Sequence, residues 1–241
     1  MTIKGILFDL YGTLIDIETD ESMEEIYRGI AHYLTYHGLY LHRGRVQHSY
    51  YQIMKQQKEG GGEEYPEIDV EAIWNTFLEQ EGMQSPDHRA HQAKVLAQLY
   101  RGISRKRLQL YPGVEVVLEE LRKSYPLGLV SDAQPCFAMA EIRAVGLAGY
   151  FDPIVISAPS GYRKPDRRIF EKALEHMKLT PAEVIYVGND MFRDIHGAKQ
   201  LGIKTIFIDS NQGTKSHDNV APDYFVSRFE DVPRGVAFLS A

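Results

Sequence analysis

Five short apolar runs, at residues 4–8, 127–130, 153–156, 184–187 and 204–208, constrain this chain more than any other feature. Each is rich in Val, Ile, Leu or Phe and none alternates with polar residues, so both faces of such a strand must be covered. Helical patterns fill the intervals. Val114, Val117, Leu118 and Leu121 share one helix face behind a Pro112-Gly113 start. A second helix is predicted over 166–177, after Lys164-Pro165, and a third over 190–201, stopping before Gly202, which suits a left-handed cap. Strands alternating with helices predict an α/β fold, a doubly wound parallel sheet with helices on both faces.

Between about residues 20 and 100 the alternation stops, and four amphipathic helices follow one another. Their apolar faces are Met23, Ile26, Ile30 and Leu34; Val46, Tyr50 and Ile53; Val70, Ile73, Trp74 and Phe77; and Leu96, Leu99 and Tyr100. An all-helical insertion after the first strand reads as a cap over the sheet's edge. The expected division is a core of 1–16 and 105–241 with a cap of 17–104, joined by hinges near 15–19 and 103–110. The cap aromatics Tyr27, Tyr33, Tyr36, Tyr40, Tyr50, Tyr51 and Trp74 are expected to pack between helices.

Charge and cysteine content narrow the partners. The chain of 241 residues carries 27 Lys+Arg against 33 Asp+Glu, a formal net charge of −6, which disfavours a nucleic-acid partner. The basic stretch 101–107 lacks a readout motif and reads as a solvated helix end. A lone cysteine, Cys136, excludes an intrachain disulfide, fits a reducing compartment and is expected to be a buried structural thiol. The first apolar run is too short for a signal core or a membrane span, so no membrane role and a cytoplasmic location are expected.

In open α/β sheets ligands bind beyond the carboxyl ends of the strands. Asp9-Leu-Tyr-Gly-Thr13 follows the first predicted strand, Ser131-Asp132 the second, a loop ending in Lys164 the third, and Gly188-Asn-Asp-Met-Phe-Arg-Asp194 the fourth. Asp9 suits a carboxylate nucleophile, and Gly12 a tight turn whose N–H groups cradle an anion. Ser131 offers a hydroxyl to a phosphoryl oxygen, or caps a turn. Clustered carboxylates are costly unless a cation offsets them, which gives Lys164 a reason to point inward rather than to solvent. Asp190 and Asp194, spaced i, i+4, share a helix face; a helix dipole compensates part of that repulsion, and Mg²⁺ opposite Asp9 would compensate the rest.

Together these residues resemble the haloacid dehalogenase superfamily. Asp9-x-Tyr-Gly-Thr13 is similar to its first motif, Ser131 to its second, Lys164-Pro-Asp166 to its third and Gly188-Asn-Asp-x-x-x-Asp194 to its fourth. The order and the helical insertion agree, as do Tyr150-Phe-Asp152 and Ile169-Phe170. The resemblance implies a Rossmann-like core with a helical cap and a covalent intermediate on Asp9. It further implies that Thr13 and Ser131 hold the reacting group and that Lys164 balances charge; Asp132, at the same strand end as Ser131, is expected with Thr13, Ser131 and Lys164 to bind substrate. By the same resemblance Asp9, Asp190 and the Tyr11 carbonyl bind Mg²⁺, with Asp194 supporting that shell or ligating directly.

Tyr11 departs from the pattern. Phosphatases of this family usually carry an acid–base aspartate there, whereas tyrosine, with an ordinary pKa near 10, is a poor base at neutral pH. Tyrosine belongs to the 2-haloacid dehalogenase branch, which typically has neutral fourth-motif residues and no metal. The acidic fourth motif here favours a Mg²⁺-dependent phosphatase of small phosphorylated metabolites, slow or selective for good leaving groups, with Asp16 or a cap residue as stand-in acid. The alternatives are a metal-free dehalogenase, for which Arg28, Arg43 and Arg45 are candidate cations, and a catalytically impaired binding or regulatory protein. Neither the metabolite nor the oligomeric state is legible in these residues.

Overall fold

The structure is a computed structural model in which residues 2–241 are described. A six-stranded, all-parallel sheet forms its centre, in the order β5-β4-β1-β6-β7-β8. Its strands are β1 (Gly5–Phe8), β4 (Leu127–Ser131), β5 (Ile154–Ile156), β6 (Val184–Gly188), β7 (Lys204–Ile208) and β8 (Tyr224–Val226). Two further strands, β2 (Ile15–Thr19) and β3 (Arg105–Leu110), pair separately. Helices α1 (Glu24–Tyr36), α2 (Arg43–Gly60), α3 (Val70–Gln80) and α4 (Pro86–Ser104) lie between β2 and β3. The others are α5 (Val114–Leu121), α6 (Pro135–Ala144), α7 (Arg167–Met177), α8 (Gly197–Lys199) and α9 (Val232–Ser240).

The unalternated strand runs follow from this layering. Ile6, Phe8, Leu129, Ile185 and Val187 pack on one sheet face with Val114, Leu118, Ile142 and Val236 of α5, α6 and α9. Leu7, Val130, Val184 and Tyr186 pack on the other with Ile169, Phe170 and Ala173 of α7 and Ala198 of α8. Successive side chains of a strand point to opposite faces, so a strand buried on both has no polar position. The chain leaves β1 towards β4 and β5, then returns to lay β6, β7 and β8 on the other side. That reversal opens a crevice beyond the carboxyl ends of β1, β4 and β6.

Helices α1–α4 have a separate apolar cluster, in which Tyr27, Tyr50, Trp74, Phe77 and Tyr100 are fully buried. Tyr50 stacks at 4.8 Å from Trp74 and 5.0 Å from Tyr100. Tyr36 and Tyr40 correct the expectation of helix packing: they are 86% and 83% exposed. Cys136 is half-buried beside this cluster, and burial pushes its thiol up to about 12, which keeps it in the thiol form at neutral pH.

The segments expected as hinges are an antiparallel ribbon. Ile15 pairs with Leu110, Ile17 with Leu108, and the register slips at Glu18/Thr19. Alternation in Ile15-Asp-Ile-Glu-Thr19 is a strand signal, masked by the run of charge in its partner. The basic stretch is ion-paired rather than solvated. Arg101 and Arg105 hold Glu141, Lys106 holds Asp20, and Arg107 holds Asp16 and Glu18. The third predicted helix is instead a π-helical turn over Met191–His196 continued by α8. No helix of the described residues is long and apolar enough to cross a membrane.

Trp74→Ala removes the largest side chain of the α1–α4 cluster, and we expect a loss of about 3–5 kcal/mol in urea unfolding followed by far-ultraviolet circular dichroism.

Candidate active site

Asp9 ends β1 and is 5% exposed. Its Oδ1 accepts a hydrogen bond from Lys164 Nζ at 2.7 Å, and its Oδ2 lies 3.0 Å from the Thr13 hydroxyl. The turn that brings Thr13 back needs Gly12, whose φ is +88° and where a Cβ would collide with the Asn189 side chain. Backbone bonds Gly12 N–Ile15 O (2.9 Å) and Tyr111 N–Leu14 O (3.0 Å) tie this turn to the ribbon.

Lys164 points inward and is 3% exposed. Its ammonium also donates to Asp194 Oδ1 at 2.7 Å, with Tyr186 Oη at 3.2 Å and the Val130 carbonyl at 3.3 Å. Burial disfavours the ammonium, yet Asp194 and Asp9 on either side hold its pKa well above the ordinary value. Asp9 is the complement. Burial raises its pKa to about 7, against the pull of Lys164 and with Asp194 and Asp132 adding repulsion.

The fourth motif divides its two carboxylates. Asp194 Oδ2 accepts from the backbone N–H groups of Asn189 and Asp190, each at 3.0 Å, while Oδ1 faces Lys164 and Tyr186. A Cβ on Gly188 would strike the Asp194 carboxyl, so only glycine fits that strand end. Asp190 caps the π-helical turn. It accepts from the N–H groups of Phe192 (3.0 Å), Arg193 (2.8 Å) and Thr214 (3.0 Å) and pairs with the Arg193 guanidinium at 3.1 Å. Burial opposes its charge, but those N–H groups and Arg193 hold its pKa below the usual carboxylate range. The i, i+4 pair expected on one helix face is therefore split between different partners.

Asn189, absent from the sequence-derived set, stands one hydroxyl away from Asp9. Its Oδ1 is 3.0 Å from the same Thr13 hydroxyl that touches Asp9. Its place directly after Gly188 at the end of β6 is the signal that marks it. Ser131, at the end of β4, is fully buried and its hydroxyl has no hydrogen-bond partner. Asp132 Oδ1 accepts from the Lys164 N–H at 3.0 Å, Oδ2 has no partner, and burial raises the pKa to about 6 against the pull of Lys164.

Tyr11 is turned away from proton chemistry. Its hydroxyl donates to Glu141, which is 1% exposed and also paired with Arg101 (2.7 Å) and Arg105 (3.1 Å). Burial, then the Glu141 charge, raises the tyrosine pKa. Asp16 is occupied in the ribbon by Arg107, Gln109 and Asn211 and lines neither cavity at the site. Arg28, Arg43 and Arg45 are solvent-facing, paired with Glu25, Glu24 and Glu81, and are likewise absent from both cavity walls. The arginines that do line them are Arg101, Arg163 and Arg193.

An inner cavity of about 130 Å³ is lined by Asp9, Tyr11, Asp132, Lys164, Asn189 and the Asp190–Asp194 turn. Four carboxylates there face two cations, Lys164 and Arg193. Among the described residues no three His, Cys, Asp or Glu side chains are grouped so as to hold a metal ion by themselves. An outer cavity of about 390 Å³ adjoins it, between α1–α4 and the sheet.

Charge on a raised carboxyl disfavours the folded state. Below pH ~4 Asp9 is protonated in both states. Between that value and about 7 only the folded state holds the proton, so its contribution is lost as pH rises. Asp9→Asn is therefore expected to unfold at higher urea than the parent, by a margin that widens from pH 5 to pH 8.

The haloacid dehalogenase-like hydrolase family model matches residues 3–202. A glyceraldehyde 3-phosphate phosphatase from Pyrococcus furiosus is 36% identical over 101 residues, 42% of either chain. That of Pyrococcus abyssi is 30% identical over 206 residues, 85% of this chain and 81% of its own. The fold matches the crystal structure of 2-haloacid dehalogenase from Pseudomonas syringae pv. Tomato with a TM-score of 0.71, at 24% identity and covering 98% and 99% of the two chains. With the family model spanning most of its length and the same α/β core beneath its site, this chain belongs to the haloacid dehalogenase-like hydrolases.

Proposed function

We propose that the enzyme is a phosphatase of small phosphorylated metabolites in which Asp9 is the nucleophile. The carrying observation is a buried carboxylate at the sheet's reversal point, with Lys164 on one oxygen, Thr13 on the other and the free Ser131 hydroxyl at the neighbouring strand end. The phosphatase names of the Pyrococcus relatives support the substrate class.

Asp9 attacks phosphorus, the bond to the leaving-group oxygen breaks, and an aspartyl phosphate forms; water then attacks that phosphorus, releasing phosphate and restoring Asp9. Lys164 balances the charge that collects on Asp9 and the phosphoryl oxygens. Ser131 donates its unshared proton to one of those oxygens, and Thr13 holds the Asp9 carboxylate in line. Each donor is fixed before substrate arrives, which is where such catalysis draws its strength.

The surplus of carboxylates over cations fits a divalent ion. The donor set fits Mg²⁺ in kind, since that ion takes hard oxygens, commonly from one or two carboxylates together with water and substrate phosphate. Asp9, Asp190, the Asn189 amide oxygen and the Tyr11 carbonyl would hold it, and Asp194 would support them through Lys164 and the two backbone N–H groups. When bound it neutralises phosphoryl charge and orients the group for in-line attack. The same surplus disfavours a haloacid, whose carboxylate would meet more negative charge.

Hydrolysis of p-nitrophenyl phosphate is expected to require Mg²⁺, to cease on adding EDTA, and to fall by at least about 10³-fold in Asp9→Asn. Turnover indifferent to EDTA, or halide release from 2-chloropropionate, would overturn the reading.

A further inference from the structure

Three residues, Tyr11, Asp132 and Arg193, line both the inner and the outer cavity. They form the collar between them. A phosphate monoester with its phosphoryl group against Asp9 and its carbon body in the outer cavity crosses this collar at the bridging oxygen. That atom gains negative charge as the P–O bond breaks, and an alkoxide departs poorly without a proton.

Two of the three side chains cannot provide one. The Tyr11 proton is committed to Glu141, and that carboxylate together with burial raises the tyrosine's pKa. Arg193 is a permanent cation paired with Asp190. Asp132 remains. Its Oδ1 is anchored by the Lys164 N–H at 3.0 Å, while its Oδ2 is shielded from bulk water and has no hydrogen-bond partner. A shielded carboxyl oxygen without a donor is poorly placed to stay charged and well placed to carry a proton.

We infer that Asp132 is the general acid–base that the side chain at position 11 cannot be, and that it extends the substrate range to alkyl phosphates. Resting on the phosphatase reading above, the cycle balances as follows. Asp132 gives its proton to the bridging oxygen as the P–O bond breaks and the Asp9–phosphorus bond forms, and the alcohol leaves. Asp132, now a carboxylate, takes a proton from the water that attacks phosphorus. Phosphate departs, Asp9 is restored as a carboxylate, and Asp132 is again protonated.

The charged groups around Asp132 agree with that role. Lys164 stabilises its carboxylate, whereas Glu67 from the loop before α3 and Asp194 oppose it. Asp9 and Arg193 complete the surroundings, one repelling and one attracting. Asp9 has a cation and a hydroxyl on its two oxygens, which fix it for attack; Asp132 has one bare oxygen on which a proton can be taken up and released. Two carboxyls in one pocket with unlike partners is the pattern of a divided acid and nucleophile.

The test compares two leaving groups. In Asp132→Asn, which keeps the oxygen that anchors the Lys164 N–H, kcat/KM for glycerol 2-phosphate should fall about 10²-fold more than kcat/KM for p-nitrophenyl phosphate. The parent enzyme offers a second reading that needs no variant to fold. Its kcat/KM for glycerol 2-phosphate should decline on the alkaline side, where the acid is lost, with no matching limb for p-nitrophenyl phosphate. An unchanged ratio of the two substrates in Asp132→Asn, identical pH profiles in the parent, or no turnover of glycerol 2-phosphate at any pH overturns the assignment. Survival of p-nitrophenyl phosphate hydrolysis in Asp9→Asn would instead sink the phosphatase reading itself, so the two failures are told apart.

Discussion

Lys164 Nζ lies 2.7 Å from both Asp9 Oδ1 and Asp194 Oδ1, and three separate stretches of chain must be in place for that triad to form. All three side chains are nearly inaccessible. An ammonium or a carboxylate alone at such a depth costs several kcal/mol, and mutual attraction offsets this only when geometry and remaining hydrogen bonds are good. Here they are. Asp194 spends its other oxygen on two backbone N–H groups, Asp9 its other oxygen on Thr13, and Lys164 has Tyr186 and a carbonyl nearby.

Removing the Lys164 charge would leave both carboxylates buried without their shared cation. This makes Lys164 an organiser of the strand ends. Glycine at 12 and at 188 is needed for close approach: a Cβ at 12 would collide with Asn189 of the loop after β6, and one at 188 with Asp194 of its own loop. The ribbon β2–β3 begins within six residues of Asp9 and carries α1–α4, so the outer cavity's walls are attached to the turn that follows Asp9. The site and helices α1–α4 thus share one piece of backbone.

Tyr11 sits in a site whose surroundings are acidic, and its hydroxyl is drawn into a Glu141–Arg101–Arg105 cluster between α4, β3 and α6. That cluster joins cap to core by charge, since Arg101 comes from α4 and Glu141 from α6. Position 11 is thereby a structural link between these elements.

The strands, the layer order and the helical insertion were legible because burial writes itself into sequence as period and run length. The convergence of Asp9, Asp132, Lys164, Asp190 and Asp194 on one cavity was legible because strand ends aim their successors at one edge. What lies outside that logic depends on through-space partners. The ribbon was hidden because cross-strand ion pairs, not apolar side chains, hold much of it. Asn189 was hidden because its closeness to Thr13 depends on how tightly the turn at Gly12 packs against β6. The fates of Asp190, bound by Arg193, and of Tyr11, bound by Glu141, were likewise set by residues that only folding brings near. Local pattern determines which surfaces must be covered; which donor meets which acceptor is decided only when separate segments close on each other, because hydrogen bonds and ion pairs act over a few ångströms and leave no periodic trace in the chain.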